Sequence, residues 1–504
     1  MKNRQILSLP TATILVFCLM GSVDRAQPQD TELAKAESFL ARGDLAEARK
    51  VLQNFLARQP NSVPGLNMLT SLLLLEDDFE NAATQIARAV KLKPNDPRVL
   101  TNYGHCLFRQ GDFKRAEFEF QKSLQLDPKQ ASAYVGLGRL HLTQLKSAEG
   151  LSALNEAMRL DPKLEDSYFY ASEAYGTDKN LAMQIESLQK YLDLKPKFHP
   201  ERVQNAEALL IFFRSLQKER TAEIKDASRI YEFPIQPFYG LLIAEAYVND
   251  EGPYRFLVDT GATSTVLSNA LLDHLKITPI ATATVKCVGG SGKTATKLCK
   301  ASKLKIGELE ILNLPVASFD NQIFAGLIDG VLGTVDLADF VISLDYPDKR
   351  IVLTPRPSTA ATENRSQAEV QGTRSDFRVL GNLMLVPVSI NHQPSRNFLF
   401  DTGAVTSTLS KRQAALFGVR DDTPNSAVDI QFAGACGVTQ SVLSVPSVNL
   451  TFGGLKQEYH QILAVELNEI SKEVQTEISG ILGGDFFSKY KVTIDYANTT
   501  VSFE

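Results

Sequence analysis

The chain has 504 residues, which is enough for about three domains. Hydrophobic residues make up 44% of the sequence and charged residues 22%, as is ordinary for a globular protein with buried cores. The mild net charge of −5 argues against nucleic acid as the main partner, because proteins that bind nucleic acid rely on basic surfaces.

The first 26 residues have the pattern of an export signal. Lys2 and Arg4 precede a mostly apolar stretch over 6–23, and polarity rises abruptly from Asp24. We interpret residues 1–26 as a signal peptide or, alternatively, as an uncleaved N-terminal membrane anchor. In both cases we expect the protein to be exported, whether it is periplasmic, secreted or membrane-anchored outside the cytoplasm.

The next part of the chain repeats with a period of 34 residues. This interval separates Pro60, Pro94, Pro128, Pro162 and Pro196. A fixed period of this size marks a stacked repeat architecture, in which each unit packs on its neighbours. Apolar residues recur at helical spacing before each proline, and glycines interrupt the pattern midway, so we predict two helices per repeat.

The period and the packing residues resemble the tetratricopeptide repeat. Gly104, Ala116 and Phe120 occupy the small and aromatic positions of that family in the third repeat. The resemblance implies an all-α helical-repeat solenoid over residues 29–224, whose last part, 199–224, is a capping helix. It also implies that the repeats bind a protein or peptide partner.

After residue 228 the sequence pattern changes from helix to strand. β-branched and aromatic residues dominate and alternate with other residues, for example over 239–248. Two regions of this kind, residues 229–355 and 373–504, are separated by a polar segment over 356–372. We interpret that segment as a linker.

One stretch of the first β region occurs again in the second. Residues 256–268 read FLVDTGATSTVLS, and residues 398–410 read FLFDTGAVTSTLS. Each copy is followed by an apolar element that contains glycine, at 328–333 and at 478–483, and then by a terminal strand. The matched order indicates a duplicated domain.

Two Asp-Thr-Gly turns, each after an apolar strand, are what a chain needs to bring two carboxylates face to face. Asp259 and Asp401 are therefore the candidate catalytic residues. Two carboxylates in contact cannot both ionise cheaply, so the pair holds one proton over a wide pH range. The ionised member can act as general base on a water molecule and the protonated member as general acid on a carbonyl oxygen. This chemistry needs no cofactor and no metal.

The layout resembles the retropepsin-like aspartic proteases, with two halves fused in one chain as in the bilobal pepsin-like enzymes. The resemblance covers residues 229–355 and 373–504, and it implies an all-β double protease domain that hydrolyses peptide or protein substrates. Val405 departs from the first copy, which has Thr263 at that position.

The resemblance also assigns supporting roles beside the aspartates. It implies that the hydroxyls of Thr260 and Thr402 bond across the pair to the opposite loop. Gly261 and Gly403 would let a backbone N–H approach its own carboxylate closely. Both copies continue with alanine where pepsin-type enzymes carry serine. The loss of that hydroxyl is expected to raise the pKa values of the pair and to move the pH optimum from strongly acidic toward neutral.

Glycines lie in both halves where the resembled family has its flaps. Gly289, Gly290 and Gly434 are the candidate flap residues, since mobile hairpins suit the capture of an extended peptide. The alternative is that each is an ordinary surface turn.

Two cysteines lie symmetrically about Lys293 in the same glycine-rich segment. If this segment is a hairpin centred there, Cys287 and Cys299 face each other and can form a disulfide in an exported protein. Two free thiols are the equal alternative.

These observations favour an exported aspartic endopeptidase with repeats that bind a partner or substrate. The alternative is a protease-like module without turnover that holds extended peptides on the repeat scaffold. A third arrangement pairs each half with its counterpart in another chain, although the linker favours pairing within one molecule.

Overall fold

The computed structural model describes residues 28–217, 222–289, 292–320, 327–356, 373–424, 426–428, 432–439 and 441–504. The expected export segment 1–26, Gly290 and all but the first residue of the expected linker lie outside these ranges. The chain divides into two compact units, residues 1–60 and 61–504. Within the described ranges, no helix combines the length and the apolarity that crossing a membrane requires.

In the first unit, the described residues form a pair of helices, α1 Pro28–Arg42 and α2 Leu45–Arg58. Gly43 lies between them with a positive φ of 85°, a conformation that glycine adopts without steric cost. Arg58 forms an ion pair with Glu32 at 2.7 Å across the two helices.

The second unit begins with further helices of the same antiparallel, two-helix pattern. These are α3 Val63–Leu75, α4 Phe79–Leu92, α5 Pro97–Arg109, α6 Phe113–Leu126, α7 Ala131–Leu142, α8 Ser147–Leu160, α9 Glu165–Thr177, α10 Leu181–Asp193 and α11 Pro200–Gln217. Asp78, Asp96 and Asp112 accept backbone N–H bonds at the starts of α4, α5 and α6. The predicted helical-repeat fold is confirmed. The last helix ends earlier than predicted, because residues 223–225 form a strand.

Strands of the first β half follow. They are β1 Glu223–Lys225, β2 Tyr231–Pro234, β3 Gln236–Phe238, β4 Leu241–Val248, β5 Glu251–Asp259, β6 Val266–Ser268, β7 Ala281–Lys286, β8 Lys293–Ile306, β9 Leu309–Phe319, β10 Gly330–Gly333, β11 Phe340–Asp345 and β12 Arg350–Pro355, with helix α12 Asn269–His274. The main sheet has the order β1-β9-β6-β10-β5-β4-β8-β7.

The second half repeats this arrangement. Its elements are β13 Thr373–Asp376, β14 Arg378–Leu380, β15 Leu383–Ile390, β16 Arg396–Phe400, β17 Thr408–Ser410, β18 Ala427–Val428, β19 Phe432–Gly434, β20 Gly437–Thr439, β21 Val442–Phe452, β22 Leu455–Val465, β23 Gly480–Leu482, β24 Lys491–Asp495 and β25 Thr500–Phe503, with helices α13 Lys411–Leu416, α14 Asn468–Glu473 and α15 Gly484–Phe487. Its main sheet runs β14-β15-β16-β23-β17-β22-β21-β18.

A sheet shared by the halves holds them together. Its order is β13-β25-β24-β11-β12-β2. Each half contributes three strands, and the corresponding strands of the two halves lie at equal distances from the centre of the sheet. The two terminal strands, β11 and β24, pair antiparallel at its centre, with Ser343 opposite Thr493. This pairing within one molecule agrees with a duplicated domain, and the all-β double fold is confirmed.

Candidate active site

Each aspartate lies where a buried strand ends. β5 runs parallel to β10 and ends with Asp259 opposite Gly333, and β16 runs parallel to β23 and ends one residue before Asp401. Both strands are covered by core side chains, including the fully buried Phe256 and Phe398. Since these strands are central in their sheets, their ends are fixed in space.

Glycine in the neighbouring strand makes room for these phenylalanines. A Cβ added to Gly330 would lie 2.5 Å from the ring of Phe256, and one added to Gly480 would collide with the ring of Phe398. The apolar elements with glycine and the repeated FLVD-type strands therefore form one packing unit in each half.

The two carboxyl groups lie side by side, close enough for one backbone N–H, that of Gly403, to contact both. Asp259 accepts a bond from its own loop, Gly261 N–H to Oδ1 at 2.7 Å, and a second from the opposite loop, Gly403 N–H at 3.2 Å. Asp401 accepts a bond from Gly403 N–H at 2.8 Å. The structure thus brings together the two residues that the sequence singled out, from positions 142 residues apart.

Burial raises the pKa of the Asp259 carboxyl, and backbone N–H donors oppose that rise in part. Burial also raises the pKa of Asp401 well above its ordinary value, and the negative charge of Asp259 raises it further. The pair therefore keeps one proton to a higher pH than an isolated carboxyl would.

The threonines of the two loops form a reciprocal network beneath the pair. Thr260 Oγ1 donates to the carbonyl of Phe400 at 2.7 Å, and Thr402 Oγ1 donates to the carbonyl of Val258 at 2.8 Å. Each hydroxyl also accepts the backbone N–H of the opposite threonine at 3.0 Å. Both side chains are buried, so these four bonds tie the loops together out of contact with water.

The glycines of the two turns leave space for the opposite carboxyl. A Cβ on Gly261 would lie 2.7 Å from the carboxyl carbon of Asp401, and a Cβ on Gly403 would lie 2.7 Å from that of Asp259. Any larger residue at these positions would push the carboxyls apart. Glycine is therefore required for the contact between the aspartates.

Two further aspartates, which the sequence analysis missed, hold the far ends of these loops. Asp336 accepts the backbone N–H of Thr265 at 2.7 Å, and Asp485 accepts the N–H and hydroxyl of Ser407 at 2.8 and 2.7 Å. Burial raises the pKa of both carboxyls. A signal was present, since each follows the apolar element with glycine by two or three residues.

The candidate flaps of the two halves meet at their tips. We call the β7–β8 hairpin the first flap and the β19–β20 hairpin the second flap. Gly289 lies at the first tip, and an added Cβ there would collide with the carbonyl of Gly437 in the second; Gly434 packs in the same way on Val288. Cys436 N–H donates to Val288 O at 3.0 Å.

Cys287 forms a disulfide with Cys436, with the two Cα atoms 5.4 Å apart. The sequence analysis offered a disulfide between Cys287 and Cys299 or two free thiols, and both predictions were wrong for Cys287. The first flap turns between Lys286 and Lys293, which are paired in register, and not about Lys293 itself. Cys299 thus lies beyond Leu298 on β8, where it is buried as a free thiol.

A single cavity of about 2050 Å³ joins the carboxyls, the flap tips and the repeat helices. Asp259 and Asp401 line it together with Cys287 and Gly434. The repeat helices contribute side chains from α5, α7, α9 and α11, namely Phe108, Arg139, Tyr170, Glu173, Asn205 and Phe212. The helical array therefore covers the site within the same chain.

Direct bonds fasten the repeat helices to the second half. The hydroxyl of Tyr170 donates to Gln475 Oε1 at 2.8 Å, and Thr476 Oγ1 donates to the carbonyl of Phe108 at 2.7 Å. Arg139 stacks between the rings of Phe108 and Tyr170, at 4.1 and 4.6 Å from their centres. In the part of the chain that the structure describes, no group of His, Cys, Asp and Glu is arranged to hold a metal ion.

Comparison with known families agrees with this division of the chain. Residues 244–335 and 386–486 match a family described as "Aspartyl protease". Residues 33–97 and 97–130 match two families described as "Tetratricopeptide repeat". The two β halves are thus aspartyl-protease-like, and the helices before them include tetratricopeptide repeats.

Solved structures similar to the chain include PilF of Pseudomonas aeruginosa, with 18% identity, a TM-score of 0.30, and coverage of 38% of this chain and 86% of that one. The type IV pilus biogenesis factor PilW has 16% identity, a TM-score of 0.32 and coverage of 38% and 87%. TTC0263, a tetratricopeptide repeat protein of Thermus thermophilus, has 20% identity, a TM-score of 0.32 and coverage of 36% and 99%. No curated protein matches the sequence.

Proposed function

We propose that this chain, with its two aspartyl-protease-like halves, is an aspartic endopeptidase whose catalytic residues are Asp259 and Asp401. The observation that carries the proposal is the pair of adjacent carboxyls, both in contact with the Gly403 N–H, that line a large cavity. The ionised carboxylate takes a proton from water as the water oxygen attacks the peptide carbonyl carbon. The protonated carboxyl donates its proton to the carbonyl oxygen. The resulting diol then collapses, the C–N bond breaks, and the leaving amine takes up a proton.

We extend the proposal to the repeats and to the compartment. The repeat helices line the same cavity as the aspartates, which supports a role for them in holding the substrate polypeptide. The disulfide between the flaps supports a location outside the cytoplasm, because disulfides persist in oxidising compartments. The export signal over 1–26 would deliver the protein there.

Cleavage of a diverse peptide library, from acid to neutral pH, tests the proposal. Mass spectrometry would identify the products, with and without a statine inhibitor that binds paired carboxyls. We expect cleavage that the inhibitor suppresses. If the protein bound peptides from the library but cleaved none at any pH, it would instead be the peptide-holding module without turnover.

The pH dependence of kcat/KM gives a second prediction. Because burial raises the pKa of both carboxyls, the acid limb and the alkaline limb of the profile are expected to lie above those of an exposed pair, with a maximum between mildly acidic and neutral pH. Ala262→Ser or Ala404→Ser would offer a hydroxyl donor to the ionised carboxylate. Such a donor should move the acid limb to lower pH by about one unit.

The matched control for this prediction is Ala270→Ser, on the exposed side of α12, which should leave the profile unchanged. A wild-type maximum near pH 2 would contradict the expectation. So would a profile that the serine variants at 262 and 404 leave in place.

A further inference from the structure

The two flaps are joined by a covalent bond at the cavity that holds the aspartates. Cys287 follows β7 in the first flap, and Cys436 lies in the turn of the second. The disulfide spans 149 residues of sequence and links one half to the other. Both flap tips line the same cavity as Asp259 and Asp401.

Together with the threonine network, the disulfide completes a ring around the cavity. The chain runs from Thr260 to Cys287 in the first half and from Thr402 to Cys436 in the second. The disulfide closes the ring at one end, and the four buried bonds between Thr260 and Thr402 close it at the other. An extended polypeptide held between the carboxyls and the flap tips would lie inside this ring.

The first flap is also held in place by α11. The side chain of Asn205 donates to the carbonyl of Thr284 at 2.7 Å and accepts its N–H at 2.8 Å, as a neighbouring strand would. Glu201 forms ion pairs with Lys293 at 2.7 Å and with Lys286 at 3.5 Å. These contacts oppose an outward swing of the flap, even if the second flap moved with it.

We propose that the oxidised protein admits only polypeptides that have a free, unfolded end, which threads through this ring to reach the aspartates. Separate flaps can part and let an internal segment enter from the side. Flaps joined by a covalent bond cannot part in this way, and the threonine network below is buried. An internal loop of a folded protein would have to enter as a doubled strand, with two chains in the space that one extended chain occupies.

The size of the cavity agrees with a polypeptide occupant. Its volume of about 2050 Å³ exceeds the roughly 300–1,000 Å³ that is typical of small-molecule sites. The substrate class is therefore an unfolded polypeptide with an accessible terminus, such as a misfolded or partly degraded chain. This inference rests on the proposed hydrolysis, because the polypeptide that threads through the ring is the substrate. Its test also includes a trapping measurement that does not require cleavage.

The test compares two fusion substrates that contain the same cleavable, unfolded segment. In one, the segment joins two small folded domains, so that neither end can thread; in the other, one domain is replaced by an unfolded tail. We expect oxidised wild type to cleave the tailed substrate at least 100-fold faster than the doubly blocked one. The double variant Cys287→Ser/Cys436→Ser should cleave both at similar rates. Cys299→Ala, which removes a buried thiol outside the disulfide, is the matched control and should discriminate as wild type does.

Equal cleavage of the two substrates by oxidised wild type, with the disulfide verified by non-reducing peptide mapping, would overturn threading and leave the proposed hydrolysis standing.

If no variant cleaves either substrate, the proposed hydrolysis fails, and a trapping experiment decides whether polypeptides thread through the ring. Asp259→Asn protein would be reduced, loaded with the doubly blocked polypeptide and then reoxidised with oxidised glutathione. We expect release to slow at least 100-fold compared with the same protein that also carries both serine substitutions. Equal release, or no loading of the reduced protein, would overturn the ring.

Discussion

Replacing either Asp259 or Asp401 by Asn is expected to lower kcat/KM for peptide cleavage by at least about a thousandfold. Asparagine keeps the size and the hydrogen bonds of the side chain but cannot exchange a proton with water or with the carbonyl oxygen. Since the two carboxyls share one proton and act as a unit, the double variant should lose little more than either single variant. Initial rates on the best library peptide would measure all three variants.

Asp273→Asn, an exposed change on α12, is the matched control and should retain wild-type kcat/KM. Substantial activity in one single variant would mean that a lone carboxylate suffices and that the shared pair is not the catalytic centre. Mixing the Asp259→Asn and Asp401→Asn variants tests the remaining arrangement, in which halves from different chains pair. Recovery of activity on mixing would indicate that halves from different chains pair, whereas no recovery is expected for a pair formed within one molecule.

The sequence was sufficient wherever a signal was local or repeated. The 34-residue interval of prolines predicted the helical repeats, because each repeat packs by the same residues, as Phe120 does against Gly104. The duplicated Asp-Thr-Gly stretches predicted the strand ends that carry Asp259 and Asp401, since a strand buried on both faces turns where its apolar run stops. Both features depend on residues that are close in sequence or repeated, so a single sequence is enough to predict them.

Features that depend on contacts between distant parts of the chain could not be read in this way. The partner of Cys287 depends on the register of the first flap and on a second flap in the other half, and neither is encoded near residue 287. The cover of the site by the repeats depends on single contacts such as Tyr170 with Gln475, 305 residues apart. Asp336 and Asp485 were overlooked because a lone aspartate after a strand most often lies in a solvated turn.

Replacing Thr260 or Thr402 by Val is expected to destabilise the protein and, beyond that, to impair catalysis. Each substitution would leave one buried N–H and one buried carbonyl without a partner, at about 1–3 kcal/mol for each group, so the free energy of unfolding should fall by roughly 2–6 kcal/mol. The shared sheet through β11 and β24 does not depend on these bonds, and it should keep the halves associated. Urea unfolding followed by circular dichroism would measure the change.

Thr260→Ser is the control that separates the hydroxyl from the rest of the side chain. Serine keeps the donor and the acceptor and loses only a methyl group, which costs about 1 kcal/mol when buried. The kcat/KM of the Val variants, measured where they are fully folded, should still fall well below that of the Ser variant, because the loops that aim the carboxyls at each other are no longer held at fixed separation. If the Val and Ser variants were equally stable and equally active, the network beneath the aspartates would be incidental.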